Sequence, residues 1–378
     1  MANAVGARLL SSLPAILAGS ILLTGVLLLP DLTPDDIAPT VGQATAQAIA
    51  LEQAGVDENG VPILLVEIVD GPDAGEQIEA FIQDASGALP GSSRVEPYAA
   101  GDRVVVTQFT GEAGGFAVVS EPWRVPLLGL LAALFVVAVL VVAGVRGLRA
   151  LLALALTLAV IVKIVVPLFI GGWDPVLLAV GVGAAITVAV LTITEGASRV
   201  TLAAVLGTFA ALALTALLAA VFNRAAEFTA LQGNESIGFL IPLIGERADL
   251  QGILLAATVF GALGVLDDVT VTQAATVEQL HAADPASGRG SVIGRAMRVG
   301  RSHIAATVNT LMLAYLGAGL PLLLLFALSG QSPLLVLNGE LLAVEVIRAL
   351  VGSIGIVAAV PLTTLVAALL VVPGSSEP

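Results

Sequence analysis

Long apolar runs constrain this chain more than any other feature of its sequence. Stretches of roughly 17 to 25 mostly hydrophobic residues recur along its 378 residues, and each is long enough to cross a hydrocarbon core about 30 Å thick as an α-helix. Hydrophobic residues make up 57% of the chain and charged residues only 12%, a composition that soluble proteins do not have. The sequence therefore predicts an α-helical integral membrane protein.

We predict about eight transmembrane helices. The first, in an anchor region of residues 1–30, is the apolar run from Leu13 to Leu29. No small-x-small cleavage site directly follows it, so we expect a retained anchor and not a cleaved signal peptide. The other seven form a transmembrane domain, 122–378, with a cytoplasmic loop at 268–302. Their expected positions are about 125–145, 150–170, 175–194, 200–222, 250–267, 303–327 and 349–372.

A polar segment, residues 31–121, separates the first helix from the others. It contains about five short β-rich runs with turn signals between them, which predicts a small all-β domain, either an OB-like or SH3-like barrel or a sandwich. From Asp31 to Trp123, sixteen Asp or Glu stand against two Arg, whereas the rest of the chain holds thirteen residues of each sign. The net charge of −14 therefore comes from this segment, and we expect an acidic, soluble domain.

Arginines in the short loops indicate the orientation. With the N-terminus inside, eight arginines lie on the cytoplasmic side of the predicted helices and four on the other side. Because basic residues are retained in the cytoplasm, we expect both termini there and the β domain outside. The acidic domain does not oppose export, since Asp and Glu contribute little to this rule. We expect a bacterial plasma membrane, given fourteen arginines and one lysine.

Two adjacent carboxylates, Asp267 and Asp268, stand at the inner end of the sixth predicted helix. Placing an ionisable residue at the centre of a spanning helix costs about 2.5 to 3.5 kcal/mol of insertion free energy. Each such residue is therefore expected to have a structural or functional role. About 100° separates neighbours on a helix, so only one of the two faces a given pathway. Repulsion between them in a partly dry site would let one retain and carry a proton. The alternative is that they mark where the helix leaves the membrane.

We interpret Asp268 as the carboxylate that faces the protein interior, near Asn309, and Asp267 as facing the loop and the basic residues. An Asp268→Asn substitution is then expected to abolish function. Thr310 places a second polar side chain in the seventh helix. In the eighth, Pro361 with Thr363 beside it is either a hinge or ion ligand, or a plain kink.

Other polar residues have structural interpretations. Glu345 and Arg348 are three residues apart and can form an ion pair on one helix face. Lys163, deep in the third helix, is equally compatible with a structural and a functional role. Three arginines recur at every third position and predict a contact with anionic lipids at the cytoplasmic face: Arg295, Arg298 and Arg301.

The chain resembles the YibE/F family of bacterial multipass membrane proteins. The resemblance covers about residues 125–372 and rests on TEGASRVTLAAVLGT, GALGVLDDVTVTQAATVEQL, VGRSHIAATVNTLMLAYLGAGLPLLLL and EVIRALVGSIGIVAAVPLTTLVAALL. It implies a functional or architectural role for Gly264, Asp268, Asn309, Thr310, Gly352, Gly355 and Pro361, with Glu345 as a weaker match. It implies transport but supplies no reaction.

Two functions follow from these observations. The first is a transporter or permease for a small solute or ion, coupled to a proton or another cation through Asp267 and Asp268. The second is a non-transporting scaffold or regulator that binds a partner through the outer β domain. We expect no enzyme activity, because neighbouring aspartates on one helix do not form a protease dyad and no His-Glu-x-x-His motif occurs.

The expected partners are those of a membrane protein. The lipid bilayer is the main one, and the sequence leaves open a second copy of the chain or another membrane protein. We expect no cofactor, no metal and no nucleic acid, since the chain lacks cysteine, has only two histidines and has no phosphate-loop motif.

Overall fold

The structure is a computed structural model that describes residues 2–32, 43–57, 61–82, 98–109, 115–229 and 249–373. The chain divides into two compact units. One comprises Asp35–Ala138, and the other comprises Met1–Pro34 together with Val139–Pro378. The predicted fold class is confirmed in its main features, because the described chain is mostly helical and has a small β region near its N-terminus.

Five strands form a closed barrel in the first unit. Around the barrel the order is β1-β2-β3-β5-β4, and β1 also pairs with β4. All neighbouring strands are antiparallel except β3 and β5, which are parallel. A five-stranded closed barrel of this kind is OB-like. The strands are β1 Gln43–Val56, β2 Pro62–Ile68, β3 Gln77–Ile82, β4 Arg103–Phe109 and β5 Phe116–Pro122.

The barrel forms because alternate residues of each strand are apolar. In β2, Leu64, Val66 and Ile68 are buried, while the residues between them are partly exposed. The long strand β1 pairs with β4 near its start and with β2 towards its end, and register shifts after Ala50 and Gln53 bend it between the two partners. This bent strand closes the barrel.

Ten helices occur among the described residues. They are α1 Ala2–Leu27, α2 Val125–Val160, α3 Val166–Ile170, α4 Pro175–Glu195, α5 Arg199–Ala225, α6 Leu250–Ala283, α7 Arg289–Ala318, α8 Leu320–Leu328, α9 Pro333–Asn338 and α10 Glu340–Val371. Four begin at side chains that accept hydrogen bonds from their first turns: Asp174 before α4, Ser198 before α5, Asp249 before α6 and Ser332 before α9.

Helix α2 changes direction at Gly144, whose backbone (φ 56°, ψ −131°) is outside the helical region and favours glycine. A Cβ atom at Gly147 would lie 2.6 Å from the carbonyl oxygen of Val139, so the chain bends sharply there. After α2, a π-helical turn, Ile161–Val165, contains the half-buried Lys163 and leads into α3. Pro167 follows at once and lacks the N–H that a regular helix would use.

The number of membrane spans differs from the expected eight. Among the described residues, five helical stretches are long and apolar enough to cross a membrane, or six if α7 and α8, bent by 59°, form one span. The apolar part of α1, Ser12–Leu27, is shorter. The separate helices expected at about 125–145 and 150–170 lie within one helical stretch, Val125–Ile170, because α2 bends without a loop. Eight crossings are therefore not confirmed.

The predicted loop at 268–302 is mostly helical. Helix α6 continues past the two aspartates to Ala283, and α7 begins at Arg289. Sequence reasoning ended α6 at the first charges, but the residues after them have buried side chains that pack on other helices, among them Ala274 and Val277. A short turn around Asp284 joins the two helices.

Helices α4, α5, α6 and α10 enclose the main apolar core of the second unit. Helices α5 and α10 approach most closely at two places. A Cβ atom at Gly207 would overlap the Thr363 hydroxyl and lie 2.9 Å from its Cβ atom, and a Cβ atom at Gly355 would overlap the Thr215 hydroxyl. Because the numbers rise along α5 as they fall along α10, the two helices are antiparallel.

Candidate functional site: a buried polar cluster around Asp267

A line of polar side chains follows one face of α6. Asp267, Thr270 and Gln273 are three residues apart and are all buried, with exposed fractions of 8%, 0% and 3%. Residues three apart lie close to the same helix face, so these side chains point into the bundle together. Each meets a different neighbouring helix.

Asp267 belongs to a group of four linked polar side chains, which we call the carboxylate cluster: Thr187, Thr208, Asp267 and Thr270. The Thr187 hydroxyl on α4 donates to Oδ1 of Asp267 over 3.2 Å. The Thr208 hydroxyl on α5 lies 2.7 Å from that of Thr270, which also donates to the Asp267 carbonyl oxygen over 3.1 Å. The cluster therefore joins α4, α5 and α6.

Gln273 extends the polar line towards α7 and α10. Its Nε2 donates to the Ala296 carbonyl oxygen on α7 over 3.1 Å and to the Thr364 hydroxyl on α10 over 2.7 Å. Thr364 in turn donates to the Val360 carbonyl oxygen. Gly300 permits the close approach of α7, because a Cβ atom there would lie 2.8 Å from Oε1 of Gln273. We call this arrangement the glutamine bridge.

Thr363, the neighbour of Thr364, is also fully buried. Its hydroxyl oxygen has no hydrogen-bond partner in the described part of the chain, and it faces Gly207, the residue before Thr208 of the carboxylate cluster. A buried hydroxyl without a partner is costly, so this position has an unused donor and acceptor inside the bundle.

Asp267 has no cationic partner in the part of the chain that the structure describes. Among the described residues, ion pairs join Arg124 to Glu121, Arg295 to Asp284 and Arg348 to Glu345, and none includes Asp267. Within the same residues, no group of three or more His, Cys, Asp or Glu side chains could hold a metal ion. A carboxylate in a buried, apolar bundle is strongly disfavoured when ionised and unpaired. The site is therefore suited to bind something that neutralises it.

The orientation of the two aspartates is the reverse of our prediction. Asp267 is buried in the core, whereas Asp268 is exposed and interacts electrostatically with His303 of α7. Asn309 and Thr310 are exposed as well, and the Thr310 hydroxyl donates to the Ala306 carbonyl of its own helix. The structure therefore does not bring Asp268 and Asn309 together in the interior. The reason is that α6 turns its next residue, 100° away, out of the core.

The remaining predicted residues lie apart from the carboxylate cluster. Glu345 and Arg348 form the expected ion pair, with 2.7 Å between Oε1 and NH1. Gly355 packs against Thr215, Gly352 lies near Leu311, and space is open beside Gly264. Pro361 is half-buried within α10. Of the three arginines, Arg295 contacts Asp284 over 3.5 Å, while Arg298 and Arg301 are exposed.

Sequence reasoning missed Thr187, Thr208, Thr270 and Gln273. A signal for two of them was present, because Asp267, Thr270 and Gln273 recur at intervals of three, which places them on one helix face. Thr187 and Thr208 gave no local signal. They are single hydroxyl residues in uniformly apolar helices, and only the packing of α4 and α5 on α6 identifies them.

A cavity of about 450 Å³ lies at the opposite ends of the same three helices. It is at the start of α4, the end of α5 and the start of α6, and its polar lining comprises Asp174, Asn223, Arg224, Asp249 and Gln251. Along α6, Asp249 and Asp267 are eighteen residues apart, roughly 27 Å at 1.5 Å per residue. The cavity and the carboxylate cluster are therefore two separate sites in one helix bundle.

Comparison with known proteins identifies one family. The sequence pattern of the family described as YibE/F-like protein matches residues 131–373, which include both the carboxylate cluster and the glutamine bridge. No curated protein and no solved structure matches the chain.

Proposed function

The chain belongs to the YibE/F-like protein family, and we propose that this multipass membrane protein is a transporter or permease for a small solute or ion, coupled to a proton or another cation at Asp267. The observation that carries the proposal is the buried carboxylate of Asp267, which lies among hydroxyl groups from α4, α5 and α6 and has no cationic partner among the described residues. Such groups in spanning helices are rare and mark ion pathways and proton relays.

Interrupted helices support the same function. The bend between α7 and α8 and the π-helical turn at Lys163 interrupt regular helix geometry in apolar segments, and Pro361 removes one backbone N–H donor within α10. Transporters use such interruptions to place backbone groups and hinges at a binding site. The cavity at the other end of α4, α5 and α6, which has charged and apolar residues in its lining, supplies a place for a solute to enter.

We propose eight membrane crossings for this function. The bend at Gly144 divides α2 into segments 125–143 and 145–160, so Val125–Ile170, at 46 residues, is long enough to cross twice. With α1 and the α7–α8 pair each crossing once, both termini are cytoplasmic and the barrel is extracytoplasmic in a bacterial plasma membrane. The excess of arginine on the cytoplasmic side supports this orientation. Arg298 and Arg301, exposed on α7, would contact anionic lipids there.

Ion flux through the purified full-length protein in liposomes tests the proposal. A dye sensitive to pH, or one sensitive to Na⁺, would report flux into the lumen under an imposed membrane potential. We expect flux in the wild type and its loss in Asp267→Asn, which keeps the size of the side chain and removes its ionisable group. The matched control is Asp268→Asn on the exposed face, which should retain most of the flux. Equal flux in the two variants would overturn the role of Asp267.

The alternative, a scaffold that binds a partner through its barrel, is supported by the barrel being a separate compact unit with an acidic composition. A scaffold needs no water path through its helices. The chain has no cysteine, so a single cysteine at Thr363 can be tested with a membrane-impermeant thiol reagent. Reaction at Thr363→Cys, but not at the apolar core control Ala359→Cys, supports transport. Protection of both favours the scaffold.

A further inference from the structure

We propose that two copies of this chain associate in the membrane through exposed residues of α6 and α7, with Asp268 of each copy against His303 of the other. This inference concerns an interaction surface and does not depend on the transport function proposed above. We call the surface the α6–α7 face. Its residues, all exposed in the single chain, are Asp268 and Thr272 on α6 with Val299, His303 and Thr310 on α7.

The depth of Asp268 in the helix bundle follows from two contacts between α5 and α6. The Thr208 hydroxyl lies against that of Thr270, and Gln251, near the start of α6, donates to the carbonyl oxygen of Phe228, just after the end of α5. The numbers rise along α6 as they fall along α5, so the two helices are antiparallel. Asp268, two residues before Thr270, is therefore level with the residue two after Thr208.

This level is near the middle of the bilayer. The apolar segment of α5 is bounded by Arg199 and Asn223, and its midpoint, Ala211, is one residue from the level of Asp268. The Asp268 side chain has no hydrogen bond or ion pair with any described residue. Ionisable side chains at this depth face other protein groups or water, because hydrocarbon does not solvate a charge. A polar partner is therefore expected to cover the α6–α7 face.

The α6–α7 face carries an acid and a base at nearly the same depth. Helices α6 and α7 are joined by a short turn, and Gln273 of α6 donates to the Ala296 carbonyl oxygen of α7. Asp268 is five residues before Gln273, and His303 is seven residues after Ala296. Since the two helices are antiparallel, the acid and the base differ in depth by two residues, about 3 Å. They interact electrostatically within one chain but form no ion pair there.

This arrangement of charge is complementary to itself. Two copies inserted in the same orientation are related by an axis along the membrane normal, and rotation about it leaves every depth unchanged. An axis in front of the face, midway between α6 and α7, places α6 of each copy against α7 of the other. Asp268 then meets His303 of the second copy at the same depth, and the contact occurs twice. Two-fold interfaces require such self-complementarity.

Other described parts of the chain offer no polar group to cover Asp268. Helix α1 and the second part of α2 pack together with α4, through Leu23, Leu156 and Ile193 among others. Residues 125–143 of α2 and the whole of α8 contain no polar side chain. A different membrane protein would have to supply a matching acid and base of its own, whereas a second copy supplies both.

Cysteine cross-linking in cell membranes tests the interface, because the unmodified chain has no cysteine. Two full-length chains with different tags are co-expressed, one carrying Thr272→Cys and the other Val299→Cys. These positions are one helical turn from Asp268 and from His303, so an oxidant should link the two tags.

The matched control replaces Thr272→Cys by Leu206→Cys on α5. Leu206 is exposed and level with Thr272, since it lies two residues before Thr208 as Thr272 lies two after Thr270. With Val299→Cys in the other chain, it should give no mixed product. No product from the first pair, or equal amounts from both, would overturn the proposal. A product with a chain of another size would show that a different protein covers the face.

Exchange of the charges tests the contact itself. One tagged chain carries Asp268→Lys and the other His303→Asp. The first homodimer leaves the introduced lysine without an acidic partner, and the second opposes two carboxylates, whereas the mixed dimer places the lysine against the introduced aspartate. Opposed like charges disfavour association strongly, so the mixed dimer should exceed either homodimer by at least about tenfold. Mixing in the proportion found for two wild-type chains would contradict the contact.

Asp268→Asn is the neutral control for this exchange. An asparagine amide still hydrogen-bonds to an imidazole, so two differently tagged copies of this variant should associate and mix as wild-type chains do. This agrees with the flux expected of the same variant. All these readouts measure association and not flux. Dimers without ion flux would leave the interface standing and the transport function refuted, while flux from a monomer would do the reverse.

Discussion

At the scale of single residues, two neighbouring aspartates of α6 differ completely in their surroundings. Asp267 contacts hydroxyl groups in the core, while Asp268 is exposed and interacts with His303. The helix rotates about 100° between them, and this rotation alone separates the environments. Substitution of either residue by Asn is therefore an unusually well-matched comparison, because position, size and chemistry are nearly the same.

Gln273 should contribute measurably to stability. Gln273→Leu replaces the buried amide by an apolar side chain of similar volume and removes the hydrogen bonds to Ala296 and Thr364. We expect a loss of about 1–2 kcal/mol in the free energy of unfolding, since interhelical hydrogen bonds in membranes have modest individual energies. The measurement is reversible denaturation in mixed detergent micelles. Thr276→Val is the control, because the half-buried Thr276 hydroxyl donates to the Thr272 carbonyl oxygen within α6, and its change should stay within about 0.5 kcal/mol.

Asp284, in the turn between α6 and α7, should make stability depend on pH. The Ser287 hydroxyl, and then the Arg295 guanidinium, hold the pKa of this carboxyl group below its ordinary value. A carboxyl group with a lowered folded-state pKa stabilises the fold above its unfolded-state pKa of about 3.9. That contribution is lost as the pH falls through the lowered value.

The check is the thermal unfolding midpoint measured as the pH is lowered from 6. The wild type should lose stability more steeply than Asp284→Asn, and Ser287→Ala should have an intermediate slope. Identical slopes in the wild type and Asp284→Asn would show that this turn contributes nothing to the acid response.

At the scale of elements, the antiparallel pair α5 and α10 depends on two reciprocal contacts. Gly207 of α5 receives Thr363 of α10, and eight residues further along Gly355 of α10 receives Thr215 of α5. Small residues let helix backbones approach closely in membranes, where dispersion contacts and not the hydrophobic effect favour association. The spacing of the two contacts fixes the register of one helix against the other.

Gly207→Ala should destabilise this pair. The added methyl group would overlap the Thr363 hydroxyl and lie 3.1 Å from its Cα atom, which belongs to the backbone and cannot rotate away. We expect a cost of about 1–3 kcal/mol in the free energy of unfolding. Gly264→Ala is the control, because a Cβ atom there meets nothing within 4 Å. It should be neutral or slightly stabilising, as alanine favours helix.

A double-mutant cycle separates this contact from general effects on α5. Combining Gly207→Ala with Thr363→Ala removes the group that the new methyl would overlap. The double variant should recover part of the stability lost in Gly207→Ala. Additive losses would mean that the two residues do not interact.

At the scale of the whole molecule, the two units differ in composition and in solvent. The barrel unit carries most of the net charge of −14 and has an apolar core, whereas the helical unit presents apolar side chains on much of its surface, including Leu328, Leu334 and Leu369. Large exposed apolar areas are expected where lipid replaces water. This chain therefore combines an acidic barrel with helices whose apolar surfaces suit a bilayer.

The proposed topology predicts which parts react from outside the cell. A cysteine introduced at the exposed Gln53 of the barrel should react with a membrane-impermeant thiol reagent in intact cells. A cysteine at the exposed Ser291, near the start of α7, should react only after the membrane is permeabilised. The unmodified chain has no cysteine and provides the blank. Labelling of Ser291→Cys in intact cells would show that the orientation is opposite to the proposed one.

The class of the protein, its family and most of its elements follow from the order of its amino acids alone. Runs of apolar residues long enough to span a bilayer require helices, because only a helix satisfies its backbone hydrogen bonds within one segment. Alternating residues in segments such as PILLVEI predict strands, and the acidic excess in the same region predicts a soluble domain. The prediction ended α6 too early, because two charges were taken as the end of the helix.

Which polar residues form the site depends on how the helices pack. Thr187 is eighty residues from Asp267, and Gln273 is ninety-one residues from Thr364. A helix that is apolar on all sides carries no local signal for the direction in which it faces. Its rotation depends on how neighbouring helices pack, and here α6 packs with Asp267 inward and Asp268 outward. The burial of Asp267, and hence its place at the centre of the site, is a consequence of that packing.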